Sequence, residues 1–238
     1  MEDDVVEFIE TVAPAAESAV LRPEPPFLQI LTQTSAMPGS SFSLPARTTC
    51  PGAVFAPSSV CASCYADGRK RYRWKGVRDA QARRLIWTLE ALGRRTFIPV
   101  LVGHILARGD RYFRLHDSGD FFRSDYVDAW TEIARRLPGV LFWAPTRSWA
   151  RGGLPRRHDD LLLVSLHRLA SLPNVTVRPS ALLINEAPPV LPGFAAGSTV
   201  TMNRAAVTCP KAFRTPATCG DCRRCWHAPQ LPVVYLKH

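Results

Sequence analysis

The stretch from Thr49 to Ala66 reads TCPGAVFAPSSVCASCYA and holds three cysteines, Cys50, Cys61 and Cys64, in the pattern C-x10-C-x2-C. Proline, glycine and serine are frequent in it, which is typical of a loop. Two thiolates separated by two residues can bind one metal ion or one edge of a cluster. The loop therefore indicates a metal centre. We favour an iron–sulfur cluster with one open iron; the alternative is zinc with an unrecognised fourth ligand.

A second group of four cysteines lies near the C terminus, at Cys209, Cys219, Cys222 and Cys225. Its C-x2-C-x2-C run is similar to the ferredoxin-type spacing that binds [4Fe–4S] clusters. A structural zinc site is the alternative, although zinc ligands usually come as separated C-x2-C pairs. His227 is either a spare ligand or a surface histidine. We favour a cluster here as well.

Length and composition limit the class of protein. The chain has 238 residues, of which 46% are hydrophobic, enough to form a sizeable core. No apolar run is long enough for a membrane span, and the acidic start of the chain does not resemble a secretory signal. We therefore expect a cytoplasmic protein. In a reducing compartment, seven cysteines, an odd number, favour metal ligands over disulfides.

The net charge is +10, from 30 Lys and Arg against 20 Asp and Glu. A basic surface favours a polyanionic partner, with a nucleic acid or nucleotide first. An arginine-rich composition of the kind found in high-GC genomes is the alternative. The basic run that interleaves Tyr72 and Trp74 could follow a phosphate backbone while stacking bases, or could be a solvated helix face. Its basic residues are Arg69, Lys70, Arg71, Arg73 and Lys75.

The rest of the chain alternates short apolar runs with helical periodicity, which predicts parallel βα units. Ser124 is expected to cap one helix. We expect an α/β fold, a partial open (β/α) barrel over 27–204 that contains the cysteine loop 49–66. A weakly ordered segment, 1–26, precedes it, and a cysteine-rich metal module, 205–238, follows it. Strands are predicted at 27–31, 112–116, 140–143, 175–178, 198–202 and 231–236, and helices at 76–93, 96–108, 125–136 and 161–169.

Polar residues follow three of these strands, at the end where parallel sheets gather their ligands. His116, Ser118, Gly119 and Asp120 lie after the first of them, where small residues allow close approach of a ligand; a simple turn is the alternative. Arg147 and Arg178 follow the next two strands and would point into the same mouth. There they could hold a carboxylate or phosphate bidentately. Asp117 and Asp120 are the candidate catalytic residues.

Several motifs together resemble the phage gene product 88 family over most of residues 27–238. More distantly, the loop ending Cys-x2-Cys-Tyr-Ala and the run Ser118-Gly119-Asp120 resemble the cluster loop and the glycine-rich motif of radical S-adenosylmethionine (SAM) enzymes. The gap after Cys50 is longer than in that superfamily. The motifs are Met-Pro-Gly-x-Ser-Phe-Ser-Leu-Pro, Thr-Cys-Pro-Gly, Cys-x2-Cys-Tyr-Ala, His-Asp-Ser-Gly-Asp, Trp-Ala-x-Thr-Arg-Ser, Val-Arg-Pro-Ser and Cys-Gly-Asp-Cys-x2-Cys-Trp.

The radical SAM resemblance implies a partial (β/α) barrel and a [4Fe–4S] cluster on Cys50, Cys61 and Cys64, with SAM on the open iron. It further implies reductive cleavage of SAM to a radical that abstracts hydrogen from the substrate, and an auxiliary cluster on the terminal cysteines. His116, Ser118, Gly119 and Asp120 would contact the cofactor. We therefore expect an iron–sulfur enzyme that modifies a nucleotide or nucleic acid. The alternative is a non-catalytic nucleic-acid-binding protein with structural zinc or iron–sulfur sites.

Overall fold

The computed structural model of the protein describes residues 29–33, 37–68, 70–213 and 218–237, without the side chains of 70 and 71. The segment 1–26 lies outside these residues, as does the start of the strand predicted at 27–31. Helices and strands alternate along the described chain, so the α/β class is confirmed.

The helices agree with the periodicity of the sequence, and each of the four predicted ones ends within a residue of its expected bounds. They are α1 (Lys75–Gly93), α2 (Phe97–Arg108), α3 (Ser124–Arg136) and α4 (Leu161–Ala170), followed by the one-turn helices α5 (Cys219–Cys222) and α6 (Arg224–His227). Short 3-10 helices lie at Cys61–Ser63, Lys70–Arg73, Arg204–Ala206 and Pro210–Ala212.

The strands are short, and most coincide with the predicted apolar runs. They are β1 (Thr32–Gln33), β2 (Ser40–Phe42), β3 (Tyr112–Leu115), β4 (Leu141–Thr146), β5 (Ala150–Arg151), β6 (Leu154–Pro155), β7 (Val175–Pro179), β8 (Ser198–Thr201) and β9 (Val233–Leu236). Strands β5 and β6 form a small antiparallel hairpin of their own.

Local chemistry explains where the helices begin and end. Gly109 ends α2 in the left-handed region at φ 66°, which glycine adopts without a steric cost. The Asp160 carboxylate caps α4 by accepting from the Leu162 N–H at 2.9 Å. The prediction that Ser124 caps α3 is wrong: Ser124 is the first helical residue, because the extended backbone of Arg123 places the cap one position earlier. No helix among the described residues combines the length and apolar character needed to cross a bilayer.

The main sheet has five strands in the order β1-β2-β3-β4-β7. β1 pairs antiparallel with β2, and every other neighbouring pair is parallel. The parallel strands follow one another in chain order, and helices α1 to α4 lie in the crossovers between them. Right-handed crossovers of this kind place the helices on one face.

The core lies between that face and the four long helices. Because side chains alternate along a strand, Phe113 and Leu115 of β3 face the helices while Tyr112 and Arg114 face the other way. The core aromatics pack edge to face around Trp130 of α3. Buried members from the sheet and the helices include Phe42, Leu85, Phe97, Leu101, Phe113, Tyr126, Trp130, Ile133, Phe142, Leu166, Leu169 and Val177.

The opposite face of the sheet is covered by the C-terminal segment. Trp226 of α6 packs against Trp143 and Tyr112, with ring centroids 5.2 and 5.6 Å away. Its indole N–H donates to the Phe113 carbonyl at 3.1 Å, and Thr176 donates to its carbonyl at 3.2 Å. The four-cysteine segment is therefore packed onto the same sheet as the helices, which distinguishes it from a loosely attached tail.

The last two strands depart from a continuous sheet. β8 pairs in parallel with β9, and a single bridge between Ser180 and Ser198 connects β8 to the end of β7. The structure thus has a mixed, mostly parallel sheet with a two-stranded extension. The Leu231–Leu236 run predicted as an edge strand begins at Val233, and β8 belongs to this extension rather than to the main sheet.

Candidate functional site

The cysteine loop lies across the carboxyl ends of the four parallel strands of the main sheet. After β2, the Leu44 N–H donates to the Ser118 carbonyl at 2.9 Å. The Asp120 N–H, after β3, donates to the Thr49 carbonyl at 3.0 Å. Beyond β7, the Leu182 carbonyl accepts a hydrogen bond of 3.0 Å from the Val60 N–H of the cysteine loop. Backbone hydrogen bonds therefore bring the loop and the strand ends together.

Two glycines allow the loop to approach the strand ends this closely. A Cβ atom on Gly52 would lie 1.8 Å from the Arg147 carbonyl oxygen. One on Gly119 would lie 2.5 Å from the Thr49 hydroxyl, and Gly119 also has φ +79°. Both contacts are shorter than any side chain permits, so the packing of the loop on the strand ends requires glycine at both positions.

The thiols of Cys50, Cys61 and Cys64 lie within electrostatic reach of one another. Burial, and then the nearby Asp120 carboxylate, raise the pKa of the Cys50 thiol. Burial also raises the pKa of Cys64, against the opposing effect of the Arg147 guanidinium. In the metal-free protein these two thiols are protonated at neutral pH, and a bound cation would reverse that preference.

The polar side chains of the loop after β3 form hydrogen bonds with other residues of the protein. His116 is buried at φ 64°, with Nε2 2.8 Å from the Tyr126 hydroxyl and its ring against Phe121. Burial, together with the Arg114 charge, lowers the pKa of His116 to about 3, so the ring is neutral. The Ser118 hydroxyl donates to the Leu44 carbonyl at 2.8 Å. These two residues position the loop; their contact with a cofactor stays a prediction.

The buried carboxylate of Asp120 connects the ends of β3 and β4. One oxygen accepts from the Thr146 hydroxyl at 2.6 Å and from the Phe121 N–H at 2.8 Å. The other accepts from the Arg147 N–H at 2.8 Å. Burial raises the pKa of Asp120, and these three donors oppose that shift. Asp120 is thus a structural link between the two strand-end loops.

Asp117 lies in a second network that the sequence analysis missed. Its carboxylate forms an ion pair with Arg114 at 3.1 Å and accepts from the Tyr72 hydroxyl at 2.8 Å. The Tyr65 hydroxyl donates to the Asp117 carbonyl at 2.5 Å. Burial alone would lower the pKa of Arg114, but the nearby Tyr65 and Asp117 raise it above its usual value. A charged residue inside an otherwise apolar strand was the signal in the sequence that could have identified Arg114.

The two arginines predicted to share a mouth lie in different places. Arg147 donates to the Ala181 carbonyl at 2.8 Å and lies beside Cys64. Arg178 faces the C-terminal segment, where its buried guanidinium donates to the carbonyls of Ala196, Leu231 and Ala228. The reason is that Val177 packs in the core on the helix side, so the alternation of β7 turns Arg178 to the sheet face under that segment. The prediction of one shared mouth is therefore corrected, and only Arg147 adjoins the cysteine loop.

The terminal cysteines form a second group of mutually interacting thiols. Cys219 interacts with Cys209 and Cys222, and Cys225 interacts with Cys219 and Cys209. Burial raises the pKa of Cys225 to about 11, and its sulfur lies 3.7 Å from the Tyr235 hydroxyl of β9. The four cysteines that are adjacent in sequence therefore lie together in space.

Arg114 connects the two groups. Its guanidinium reaches the Tyr65 hydroxyl, next to Cys64, at 3.5 Å, and lies within electrostatic reach of Cys219. All seven thiols are free. Within the described residues, no three His, Cys, Asp or Glu side chains come together closely enough to hold a metal ion. The thiol donors of each group are of the type that binds a metal ion or cluster, but their positions do not form metal–ligand geometry.

The basic run before α1 is described only in part. Arg69 lies outside the described residues, as do the side chains of Lys70 and Arg71. Arg73 is exposed, and Trp74 beside it is 62% exposed. Lys75 is paired with Asp79 at 2.6 Å, within the same helix. The described part is therefore a solvent-facing pair of a cation and an aromatic ring.

Comparison with known proteins adds a family to this geometry. A family model described as "Gene product 88" matches residues 22–228. The Gene 88 protein of Mycobacterium phage L5 is 31% identical over 115 residues, 42% of this chain and 43% of that protein. The Gene 88 protein of Mycobacterium phage D29 is 45% identical over 40 residues, 17% of each chain. The chain thus spans less than half the length of these curated relatives. No solved structure matches it.

Proposed function

Because this chain belongs to the gene product 88 family of phage proteins, whose matched relatives bear names that state no activity, we propose its function from the site itself. The proposal is an iron–sulfur enzyme with a [4Fe–4S] cluster on Cys50, Cys61 and Cys64 and an auxiliary cluster on the four terminal cysteines. Such cysteines need a reducing compartment, so the proposal places the protein in the cytoplasm.

One observation carries the proposal: the cysteine loop lies over the carboxyl ends of the parallel strands. Backbone hydrogen bonds at Thr49 and Val60 hold it there, and its three thiols lie within electrostatic reach of one another, with Cys64 near Arg147. In parallel α/β sheets this is the end at which ligands bind. A structural metal could be bound anywhere on the surface, whereas a reactive one benefits from a polar edge.

A partial open (β/α) barrel is part of the same proposal. What supports it is the chain-order succession of β2, β3, β4 and β7, continued to β8 by the bridge between Ser180 and Ser198. A doubly wound sheet would reverse the strand order instead.

The proposed ligand of the open iron is SAM, and the proposed substrate is a nucleotide or nucleic acid. A bound cluster of this kind would supply one electron and a coordination position for the methionine part of SAM. Around it, Arg147 offsets thiolate charge at Cys64, and Asp120 holds Arg147 through its main-chain N–H. Asp117, whose carboxylate binds Arg114 and Tyr72, holds Tyr65, next to Cys64, through its main-chain carbonyl. Both carboxylates act by positioning.

Metal analysis of anaerobically purified protein tests this proposal. We expect iron and sulfide in the purified protein, and SAM cleavage after reduction. Replacing Cys50, Cys61 and Cys64 together by serine should remove one cluster and abolish cleavage. Ser63→Ala, in the same loop, is the matched control and should keep both. Protein that contains zinc alone would refute the proposal, and a cluster that never cleaves SAM would refute the SAM part.

A second candidate function is non-catalytic nucleic-acid binding with structural zinc or iron–sulfur sites. The observations that favour it are the exposed Arg73–Trp74 pair and Phe55, which is half exposed under the Arg47 guanidinium at 4.7 Å. Exposed aromatic rings beside cations can stack bases and contact phosphates. This function predicts salt-dependent binding of single-stranded DNA that Arg73→Gln with Trp74→Ala weakens and Arg83→Gln does not.

A further inference from the structure

A cavity of 330 Å³ lies at the amino-terminal ends of β3 and β4, the ends opposite the cysteine loop. It is lined by Arg111, Tyr112, Gly139, Leu141 and Arg223. Two of these five residues are arginines, and none is acidic. No acidic residue of the lining balances the positive charge of the two arginines, and this favours an anionic ligand.

Arg223 is held firmly in this lining. Its guanidinium lies over the Tyr112 ring, 5.1 Å from the centroid, and donates to the Tyr112 hydroxyl at 3.2 Å. It also donates to the Gly220 carbonyl at 2.6 Å. The Tyr112 hydroxyl in turn lies 3.0 Å from Nε2 of His227. The Arg223 backbone has φ 50°, a region that non-glycine residues seldom adopt and that often marks functional sites.

Arg111 is the second arginine of the lining. It is exposed, and its side chain forms no hydrogen bond or ion pair with the residues that the structure describes. Planar guanidinium groups match the oxygens of phosphate, often in pairs. Because both arginines line this cavity, both side chains can donate to a phosphate group that binds in it.

A groove of 800 Å³ adjoins this cavity, and the two share Leu141. His227, which contacts Tyr112, lines the groove. The volume falls within the range of small-molecule sites. The groove presents apolar and polar atoms in similar amounts: Leu172, Leu191 and Phe194 are among its apolar lining residues, and His227 and Gln230 are among the polar ones.

We propose that the cavity and the groove together form a nucleotide site, in which Arg111 and Arg223 bind the phosphate and the groove receives the base. A ligand for both parts needs a compact anionic end and a body that combines apolar faces with polar edges, and a nucleotide has both. The net charge of +10 favours such a ligand further. The site lies at the other end of the strands from Cys50, Cys61 and Cys64 and does not depend on what they bind.

Calorimetric titration of the full-length protein tests the site. The probes are inorganic phosphate, adenosine 5′-monophosphate, adenosine and a short single-stranded DNA. We expect the monophosphate to bind at least tenfold more tightly than either phosphate or adenosine. Arg111→Gln should weaken its binding about tenfold or more, since one charge-assisted contact is lost. Arg108→Gln, an exposed control that removes the same charge, should stay within twofold.

The DNA arm identifies the source of the nucleotide. If DNA binds and Arg111→Gln reduces the slope of log affinity against log salt by about 0.7 to 1, the nucleotide belongs to a strand. If the monophosphate binds and the DNA does not, the ligand of the site is a free nucleotide. Equal effects of Arg111→Gln and Arg108→Gln, or no binding of monophosphate and DNA at millimolar concentration, would overturn the proposal. Metal content, which tests the proposed enzyme, does not enter these outcomes.

Discussion

The buried carboxylate of Asp120 accepts a hydrogen bond of 2.8 Å from the main-chain N–H of Arg147, and this bond joins the loops that follow β3 and β4. The same carboxylate binds the Thr146 hydroxyl. The cysteine loop rests on both of these loops, through the Thr49 carbonyl and through Gly52. The position of the candidate metal centre therefore depends on one side chain that sequence analysis had assigned to catalysis.

Asp120→Ala should lower the free energy of unfolding by about 2–4 kcal/mol, because Thr146 and the Arg147 N–H would be left buried without an acceptor. Urea denaturation measures this. Asp128→Ala on α3, which removes an ion pair of 3.6 Å with Arg168 between partly exposed side chains, should cost less than about 1 kcal/mol. Equal stability of Asp120→Ala and the wild type would contradict the linking role.

Gly52→Ala should lower stability by about 1–3 kcal/mol or prevent folding, because the new methyl group would overlap the Arg147 carbonyl. Gly103→Ala lies inside α2, where the added Cβ would meet no atom within 4 Å apart from its chain neighbours and the backbone of the helix itself. This substitution should instead raise stability by up to about 1 kcal/mol. Thermal melting of the two variants compares them directly. A Gly52→Ala protein with unchanged stability would show that the cysteine loop does not rest on the loop after β4 as described.

Alkylation should distinguish the buried from the exposed thiols. In metal-free protein at neutral pH, iodoacetamide should modify exposed Cys222 at least about tenfold faster than Cys50. The reason is that burial raises the pKa of Cys50 and leaves little thiolate. Peptide mass spectrometry over time gives both rates. In urea the difference should disappear, and its persistence there would mean that the fold is not its cause.

The stability of the protein should fall in acid partly through His116. Its pKa is lowered to about 3 in the folded protein, against about 6.5 in the unfolded chain, so below pH 6.5 only the unfolded chain gains a proton. Stability is then lost by about 1.4 kcal/mol per pH unit between these two values. His116→Asn, which tolerates the positive φ, should reduce that slope between pH 6 and 4. An unchanged slope would mean that His116 titrates normally.

Trp226→Ala should destabilise the whole chain by about 3–5 kcal/mol, since the ring packs between Trp143 and Tyr112 on the main sheet. Trp74→Ala, at an exposed ring, should change stability by less than about 0.5 kcal/mol. Denaturation monitored by circular dichroism and by tryptophan fluorescence should give one coincident transition. Separate transitions would show that the C-terminal segment folds independently.

The sequence by itself determined the local structure and the composition of the site. Period-3.6 apolar patterns located α1 to α4, and short apolar runs located most strands, because these periodicities follow from the geometry of each element alone. Cysteine spacing defined both thiol groups, since cysteines close in sequence stay close in space. The rule that parallel strands end at one edge placed Asp120, after β3, and Arg147, after β4, at the same edge of the sheet.

Only the tertiary structure decided which face each side chain occupies and which distant segments meet. Alternation shows that neighbours on β7 point apart, but not that Arg178 faces the C-terminal segment while Val177 faces the helices. It also cannot show that His116 turns into the core, or that Arg114 lies between the two thiol groups. These arrangements depend on packing between residues far apart in the chain, such as Tyr112 and Trp226, which no local pattern encodes.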